Sequence, residues 1–209
     1  MIVVIDYGMG NLGSVIKSLN RIKAEVKIST SIDDIKNASK LILPGVGHFA
    51  NGMKRLKEYR YLDILKEKVL DEGIPILGIC LGMQLFAKHS EEGNTNGLGW
   101  IDADVKRFNV EDKLKWKIPH MGWNSINIKK KSLILDGISQ DELFYFVHSY
   151  HMTCSDEKDI LSTTEYSYEF TSCIQRKNIY GTQFHPEKSG RVGLGLLGQF
   201  RLWDGRVAK

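Results

Sequence analysis

Ile76-Leu77-Gly78-Ile79-Cys80-Leu81-Gly82-Met83-Gln84 places a cysteine between two glycines, directly after an apolar run and ahead of a helical one. The G-x-C-x-G spacing is that of a nucleophile elbow, a strand-to-helix turn so sharp that side chains two positions either side of the nucleophile would collide. Backbone N–H groups and the helix dipole at such a turn favour an anion. The same geometry therefore activates a thiol and offers the Leu81 N–H to an oxyanion. The alternative, a buried cysteine that happens to lie between glycines, stays open until a base is found.

Upstream of the elbow, residues 2–5, 25–29 and 40–43 read as strands, 12–22 as a helix, and 74–78 as the strand that enters the turn. Two helical stretches between residues 50 and 71 mix lysines with Leu56, Leu62, Leu65 and Leu70, as amphipathic covers on a sheet do. This repetition predicts an α/β fold, a mostly parallel open sheet with helices on both faces. After Gly99 come closely spaced β runs at 103–108, 125–128, 143–147, 160–163, 170–175 and 179–184, then a helix over about 192–203. They predict antiparallel additions at the sheet edge. No repeat or flexible linker divides the chain, so residues 1–209 are expected to form one domain.

The 209 residues are 42% hydrophobic and 26% charged, enough to bury a core without disulfide or metal staples. The net charge of +4 is modest, and Lys129-Lys130-Lys131 lacks interleaved aromatics; it reads as a solvated turn, with no nucleic-acid partner. No targeting pattern or run long enough to span a membrane is present, and the expected location is the cytosol. The three cysteines, Cys80, Cys154 and Cys173, are an odd number without metal-ligand spacing; Cys154 and Cys173 read as unreactive core thiols.

Gly8-Met9-Gly10-Asn11-Leu12-Gly13 matches G-x-G-x-x-G between a strand and a helix, as a dinucleotide-binding loop would. The second strand, however, runs into Thr30 and Ser31, where that fingerprint needs an acidic residue for the ribose. A tight glycine turn is the reading retained.

Tyr180-Gly181-Thr182-Gln183-Phe184-His185-Pro186-Glu187 supplies the missing base at the end of an apolar strand, where open α/β sheets build their sites. In an extended Pro-linked segment His185 and Glu187 would project to the same side, so the carboxylate can orient the imidazole. Cys80, His185 and Glu187 then form a triad for attack on an amide through a thioester.

The elbow 78–84 and Gln183-Phe184-His185-Pro186-Glu187 resemble, in order and separation, the two signature segments of class I glutamine amidotransferases. Within that family the chain is similar end to end to glutaminase subunits of imidazole glycerol phosphate synthase. That likeness lies in Asp6-Tyr7-Gly8-Met9-Gly10-Asn11, Pro44-Gly45-Val46-Gly47, Pro119-His120-Met121-Gly122-Trp123-Asn124 and Tyr145-Phe146-Val147-His148-Ser149-Tyr150. The resemblance implies the class I glutamine amidotransferase fold and hydrolysis of L-glutamine to glutamate and ammonia. It also implies an oxyanion hole from Leu81, Val46 and Gly47, and glutamine contacts from Gly45, Gly47, Gln84, His148, Ser149 and Tyr150. Asn11, Trp123, Tyr145 and Lys188 would form the docking face.

The implied partner is a separate (β/α)8-barrel cyclase subunit that uses the ammonia to make imidazole glycerol phosphate and AICAR in histidine biosynthesis, with no synthase domain fused to this chain. An oxyanion loop that must rearrange would keep turnover low until partner and acceptor bind. Glu165-Tyr166-Ser167-Tyr168-Glu169-Phe170 resembles instead paralogues that serve amidation of surface sugars, and Trp203 to Lys209 forms an unusual tail.

His120, His148 and His151 lie in two distant segments without an acidic cluster, so neither a metal nor any other cofactor is expected. Trp116 reads as structural, and Trp123 as either core or interface. Two further functions remain in other classes. A stand-alone γ-glutamyl hydrolase would form the same thioester, and a silent regulatory subunit is disfavoured by the complete triad.

Overall fold

The computed structural model describes residues 1–205; Arg206 to Lys209, the end of the tail noted above, lie outside the described residues. The N-terminal half alternates β1 (Ile2–Ile5), α1 (Leu12–Arg21), β2 (Val26–Ser29), α2 (Ile32–Lys36), β3 (Lys40–Gly45), α3 (Phe49–Glu58), α4 (Tyr61–Lys66), β4 (Ile76–Cys80) and α5 (Leu81–Gln84). The chain then turns to β structure in β5 (His89–Ser90), β6 (Thr95–Asn96), β7 (Ala103–Arg107), β8 (His120–Ser125) and β9 (Asn127–Ile128). Strands β10 (Leu143–His148), β11 (Tyr150–Cys154), β12 (Ile160–Tyr166), β13 (Tyr168–Arg176) and β14 (Ile179–Thr182) follow, and α6 (Gly190–Leu202) closes the fold.

The main sheet runs β2-β1-β3-β4-β14-β13-β11-β7-β5-β6, parallel as far as β14 and antiparallel through β13, β11 and β7. Strand alternation sends side chains to opposite faces. Ile2 and Val4 pack with Val15 and Leu19 of α1 and with Leu196, Leu197 and Phe200 of α6. Val3 and Ile5 pack on the other face with Ile35, Leu56 and Leu65 of α2, α3 and α4. Each such side chain, fully buried, contributes about 1.5–3 kcal/mol, which makes the two-sided core the dominant attraction. Among the described residues no helix is long and apolar enough to cross a membrane.

Three expectations are corrected. The elbow strand begins at Ile76 rather than Ile74, because Ile74 donates to Lys68 O and Pro75 has no N–H to join a ladder. Residues 125–128 are not one strand: β8 ends at Ser125, Ile126 is buried, and β9 resumes at Asn127. This bend transfers the chain between sheets, since β8 pairs with β10 in a separate two-stranded sheet whereas β9 pairs with β12. Finally, the lysine run is not merely solvated, for Lys129 pairs with Glu169 at 2.5 Å and Lys130 donates to the Lys158 carbonyl.

Register positions the C-terminal strand ends. Gly45 of β3 lies opposite Cys80 of β4, and Ile79 lies opposite Thr182 of β14. The segments that follow β3, β4 and β14 therefore emerge side by side, at the edge where α/β sheets bind ligands.

Candidate active site

Cys80 sits at φ 53° and ψ −108°, a conformation that L side chains rarely adopt and that costs roughly 1–3 kcal/mol. Close packing leaves no alternative to glycine around it. A Cβ on Gly78 would lie 2.6 Å from the Met83 nitrogen, and one on Gly82 would overlap the Leu43 carbonyl. One part of the expected activation is smaller than the sequence suggested. The helix after the elbow spans only Leu81–Gln84, too few aligned peptides for a full macrodipole, so stabilisation of an anion there falls to local N–H groups.

His185 is held from both backbone sides: its N–H donates to Tyr145 O at 2.9 Å, and its carbonyl accepts from Ser189 Oγ at 2.6 Å. Its Nδ1 lies 2.7 Å from Glu187 Oε1, with both side chains only 2% exposed. The carboxylate reaches the ring through a 3-10 turn over Pro186–Lys188, not through the alternation of an extended segment. Proline's fixed φ suits the first position of that turn. Burial alone would push the imidazolium down; the negative charge of Cys80 and the Glu187 carboxylate outweigh it and raise His185 to about 10. Nε2, fully buried, has no partner at strict hydrogen-bonding geometry, so the pull of the sulfur on it is mainly electrostatic.

Besides the Val147 carbonyl, which accepts from Cys80 Sγ at 4.0 Å, two buried amides lie around the sulfur. Gln183 Nε2 donates to Cys80 Sγ at 3.6 Å, and Gln84 Nε2 donates to Gln183 Oε1 at 3.0 Å and to Tyr150 O at 2.9 Å. Gln84 was expected at this site as a substrate contact. Gln183 had no assigned role, because its position beside the sulfur follows from β4–β14 pairing rather than from any local motif.

A cleft of about 380 Å³ opens over Cys80, lined by Val46, Gly47, Leu81, Gln84, His148, Ser149 and Tyr150 together with Glu92, Pro119 and Val147. Gly45 stays in β3 beneath it, where a Cβ would press on Tyr7 and Leu81. Glu92 escaped the sequence reading, since Glu91-Glu92-Gly93 looks like an ordinary polar turn. Its Oε2 accepts the Phe49 N–H at 2.7 Å, which fixes a carboxylate at the cleft. Of the hollows of about 570 and 600 Å³ on the antiparallel half, the first is lined by both Cys154 and His151 and the second by His151 without a cysteine.

The histidines behave as neighbours in a network. His120 Nδ1 lies 3.1 Å from His148 Nε2, and His148 Nδ1 lies 2.7 Å from Tyr150 O. Burial lowers His120 to about 4 and holds His148 well below its ordinary value, so both are neutral at pH 7. Among the described residues no three candidate ligands converge on a metal site. Burial pushes the Cys154 and Cys173 thiols up to about 12, which keeps them protonated and inert.

Of the four residues expected on a docking face, three cluster. Trp123, 55% exposed, meets the Tyr145 ring edge-on at 5.8 Å, and the Lys188 ammonium lies 5.7 Å from that ring. Asn11 caps α1 by accepting the Ser14 N–H, and α1 is tied to the catalytic-base segment by Ser18 Oγ donating to Glu187 O. Trp116 is partly buried against Tyr166, a structural contact. The glycine turn over residues 8–10 uses positive φ at Gly8 and Gly10, in keeping with its reading as a tight turn.

Comparison with known proteins places this geometry. A protein of Methanococcus maripaludis named imidazole glycerol phosphate synthase subunit HisH 2 is 50% identical over 200 residues, 96% of this chain and 98% of its own. A second protein of that organism, named subunit HisH 1, is 44% identical over 205 residues, with the same coverage of 96% and 98%. The crystal structure of a glutamine amidotransferase from Thermotoga maritima superposes with a TM-score of 0.69 over 95% of each chain at 18% identity, a likeness of fold. The profile of the family described as glutamine amidotransferase class-I matches residues 3–199, and the chain belongs to that family.

Proposed function

We propose that this chain is the glutaminase subunit of an imidazole glycerol phosphate synthase, releasing ammonia from L-glutamine for a separate subunit of histidine biosynthesis. The observation that carries the reading is the Cys80–His185–Glu187 arrangement beside a cleft of about 380 Å³ that opens over Cys80, in a chain half identical to a protein named as such a subunit.

The cleft orients glutamine with its side-chain amide over Cys80. Glu92 offers the carboxylate for the substrate's ammonium group, while Ser149 and Tyr150 line the same wall. The Cys80 thiolate attacks the amide carbon, the C–S bond forms, and charge moves to the carbonyl oxygen, held by N–H groups of Leu81 and the 46–47 loop. His185, protonated, gives its proton to the departing nitrogen, and the C–N bond breaks to leave ammonia and a glutamyl thioester. Neutral His185 then takes a proton from water, whose hydroxide attacks the thioester and regenerates the thiolate with release of glutamate. Glu187 keeps the ring in the orientation that presents Nε2 throughout.

Ammonia is useful only where an acceptor waits, so the partner is a (β/α)8-barrel synthase that docks on Trp123, Tyr145 and Lys188 and raises turnover. The assembly works in the cytosol with soluble substrates. The test is glutamate release by this protein alone and then with a barrel synthase and its ribonucleotide ligand, with Cys80→Ala as the blank. Strong stimulation lost in Cys80→Ala supports the reading; turnover equal to the blank with that partner overturns it.

A second reading has its own support. M. maripaludis holds two proteins similar to this chain, and the more similar one, at 50% against 44%, carries the number 2. Where two such subunits coexist, one is free to serve another acceptor, and a synthase that amidates surface sugars is the alternative partner. Stimulation by that synthase and not by the histidine-pathway barrel would select it.

A further inference from the structure

We propose that Gln183 is a further catalytic residue: its amide N–H holds the negative charge on Cys80 Sγ, in an orientation imposed by Gln84 and the Tyr150 carbonyl. The inference rests on Cys80 being the nucleophile of the proposed reaction, and it concerns the state of the sulfur before substrate arrives.

An amide side chain can present either an N–H or an oxygen, and only its neighbours decide which. Here the decision starts at a group with no choice. Tyr150 O is a carbonyl and can only accept, so Gln84 must turn Nε2 toward it at 2.9 Å, and His148 must carry its proton on Nδ1 at 2.7 Å. Gln84 Nε2 has a second N–H, directed at Gln183 Oε1 at 3.0 Å. With its oxygen thus occupied, Gln183 must aim Nε2 at Cys80 Sγ, 3.6 Å away. Each member is buried, Gln84 at 4% exposure and Gln183 at 0%, so water does not compete for these bonds and neither amide is free to flip.

The chemistry needs such a donor. A thiol is a weak acceptor, whereas a thiolate accepts a charge-assisted hydrogen bond of roughly twice the ordinary strength. A fixed N–H therefore stabilises the ionised sulfur more than the protonated one. Gln183 neither gains nor loses a proton: the proton of Sγ goes to His185. The four-residue α5 leaves little dipole to do this work, which is why a side-chain donor matters at this site. The titratable groups that face the sulfur are His185, backed by Glu187, and Tyr7, whose buried hydroxyl stays protonated; His148 and His120, beyond the amides, are neutral. The Tyr7 hydroxyl, though a neutral donor, makes no hydrogen bond, whereas the Gln183 N–H reaches the sulfur.

The experiment is the pH profile of Cys80 alkylation by iodoacetamide on the free, full-length protein, read by peptide mass spectrometry with Cys80→Ala as the blank. Gln183→Met keeps length and burial without a donor. Its profile is expected about one pH unit above wild type, an alkylation rate about tenfold lower at pH 6.5, with the plateau at high pH unchanged. Gln84→Met, which leaves Gln183 unoriented, is expected to move the profile in the same direction by less. A profile that stays in place in both variants overturns the proposal, as does a fall in the plateau without displacement, the mark of a merely structural role. Should Gln183→Met fail to fold, Gln84→Met and the shorter donor-free Gln183→Leu carry the same test. Because alkylation needs neither glutamine nor a partner, an absence of glutaminase activity would count against the proposed function and leave this measurement readable.

Discussion

A methyl group is all that separates this elbow from a collision. The sulfur stands where it does because Gly78 and Gly82 leave room for a turn that drives Cys80 to positive φ, and because Glu187 holds the buried ring of His185 at 2.7 Å. Substitution at this scale should separate chemistry from folding. Cys80→Ala is expected to lower partner-stimulated glutamate release by at least about four orders of magnitude with an unchanged melting temperature. Glu187→Gln should keep the shape but remove the charge that helps raise His185, and a loss of about 10²–10⁴ in kcat, with KM little changed, is the outcome to look for in steady-state assays. The pair Cys80, His185 was legible as two motifs 105 positions apart in the chain only because each motif has its own local shape. Gln183 lies in the second motif without a role assigned to it and Glu92 lies in neither, and their roles appear only once neighbours from other segments surround them.

Elements carry these residues into register. Strand β4 is flanked by β3 and β14, so three loops converge on one edge, and Gly82 packs directly on β3 through the Leu43 carbonyl. Gly82→Ala should therefore push α5 off β3 and cost about 1–3 kcal/mol or more, seen as a lowered melting temperature together with lost thiol reactivity. The small β8–β10 sheet adds a second dependence. His120 of β8 and His148 of β10 are held neutral by burial, one at about 4 and the other well below 6.5, whereas in the unfolded chain they titrate near 6.5. Below about pH 6.5 these two groups bind more protons in the unfolded state, so their contribution to stability is full above that pH and declines as pH falls toward 4. Denaturant midpoints followed from pH 7 to 4.5 should fall, and His120→Phe should flatten the decline; an equal slope in both proteins would contradict the assignment.

At the scale of the whole molecule, the docking cluster and the nucleophile lie on connected structure. Trp123 and Tyr145 belong to β8 and β10, Tyr145 O accepts the His185 N–H, and β10 ends at His148 in the cleft wall. A partner seated on that cluster thus presses on elements that shape the site. If the proposed partner docks there, Trp123→Ala should weaken its association by about 2 kcal/mol or more, roughly 30-fold in Kd by calorimetry, without altering Cys80 alkylation in the free protein.

Much of this was readable from the residues alone. Alternating apolar strands and amphipathic helices dictate a parallel sheet with covered faces, and the glycines around Cys80 dictate the elbow, because periodicity and sterics act over a few residues and need no distant partner. His185 and Glu187, two positions apart, were legible as a pair, though the 3-10 turn that joins them was not. Tertiary structure decided what depends on pairing. It broke 125–128 into strands of two sheets at Ile126, and it paired Lys129 with Glu169 and Lys130 with the Lys158 carbonyl. It also set Gln183 against the sulfur through the Ile79–Thr182 register and brought Glu92 to the cleft beside α3. Register and burial are properties of segments far apart in the chain, and no local pattern encodes which polar groups they will force together.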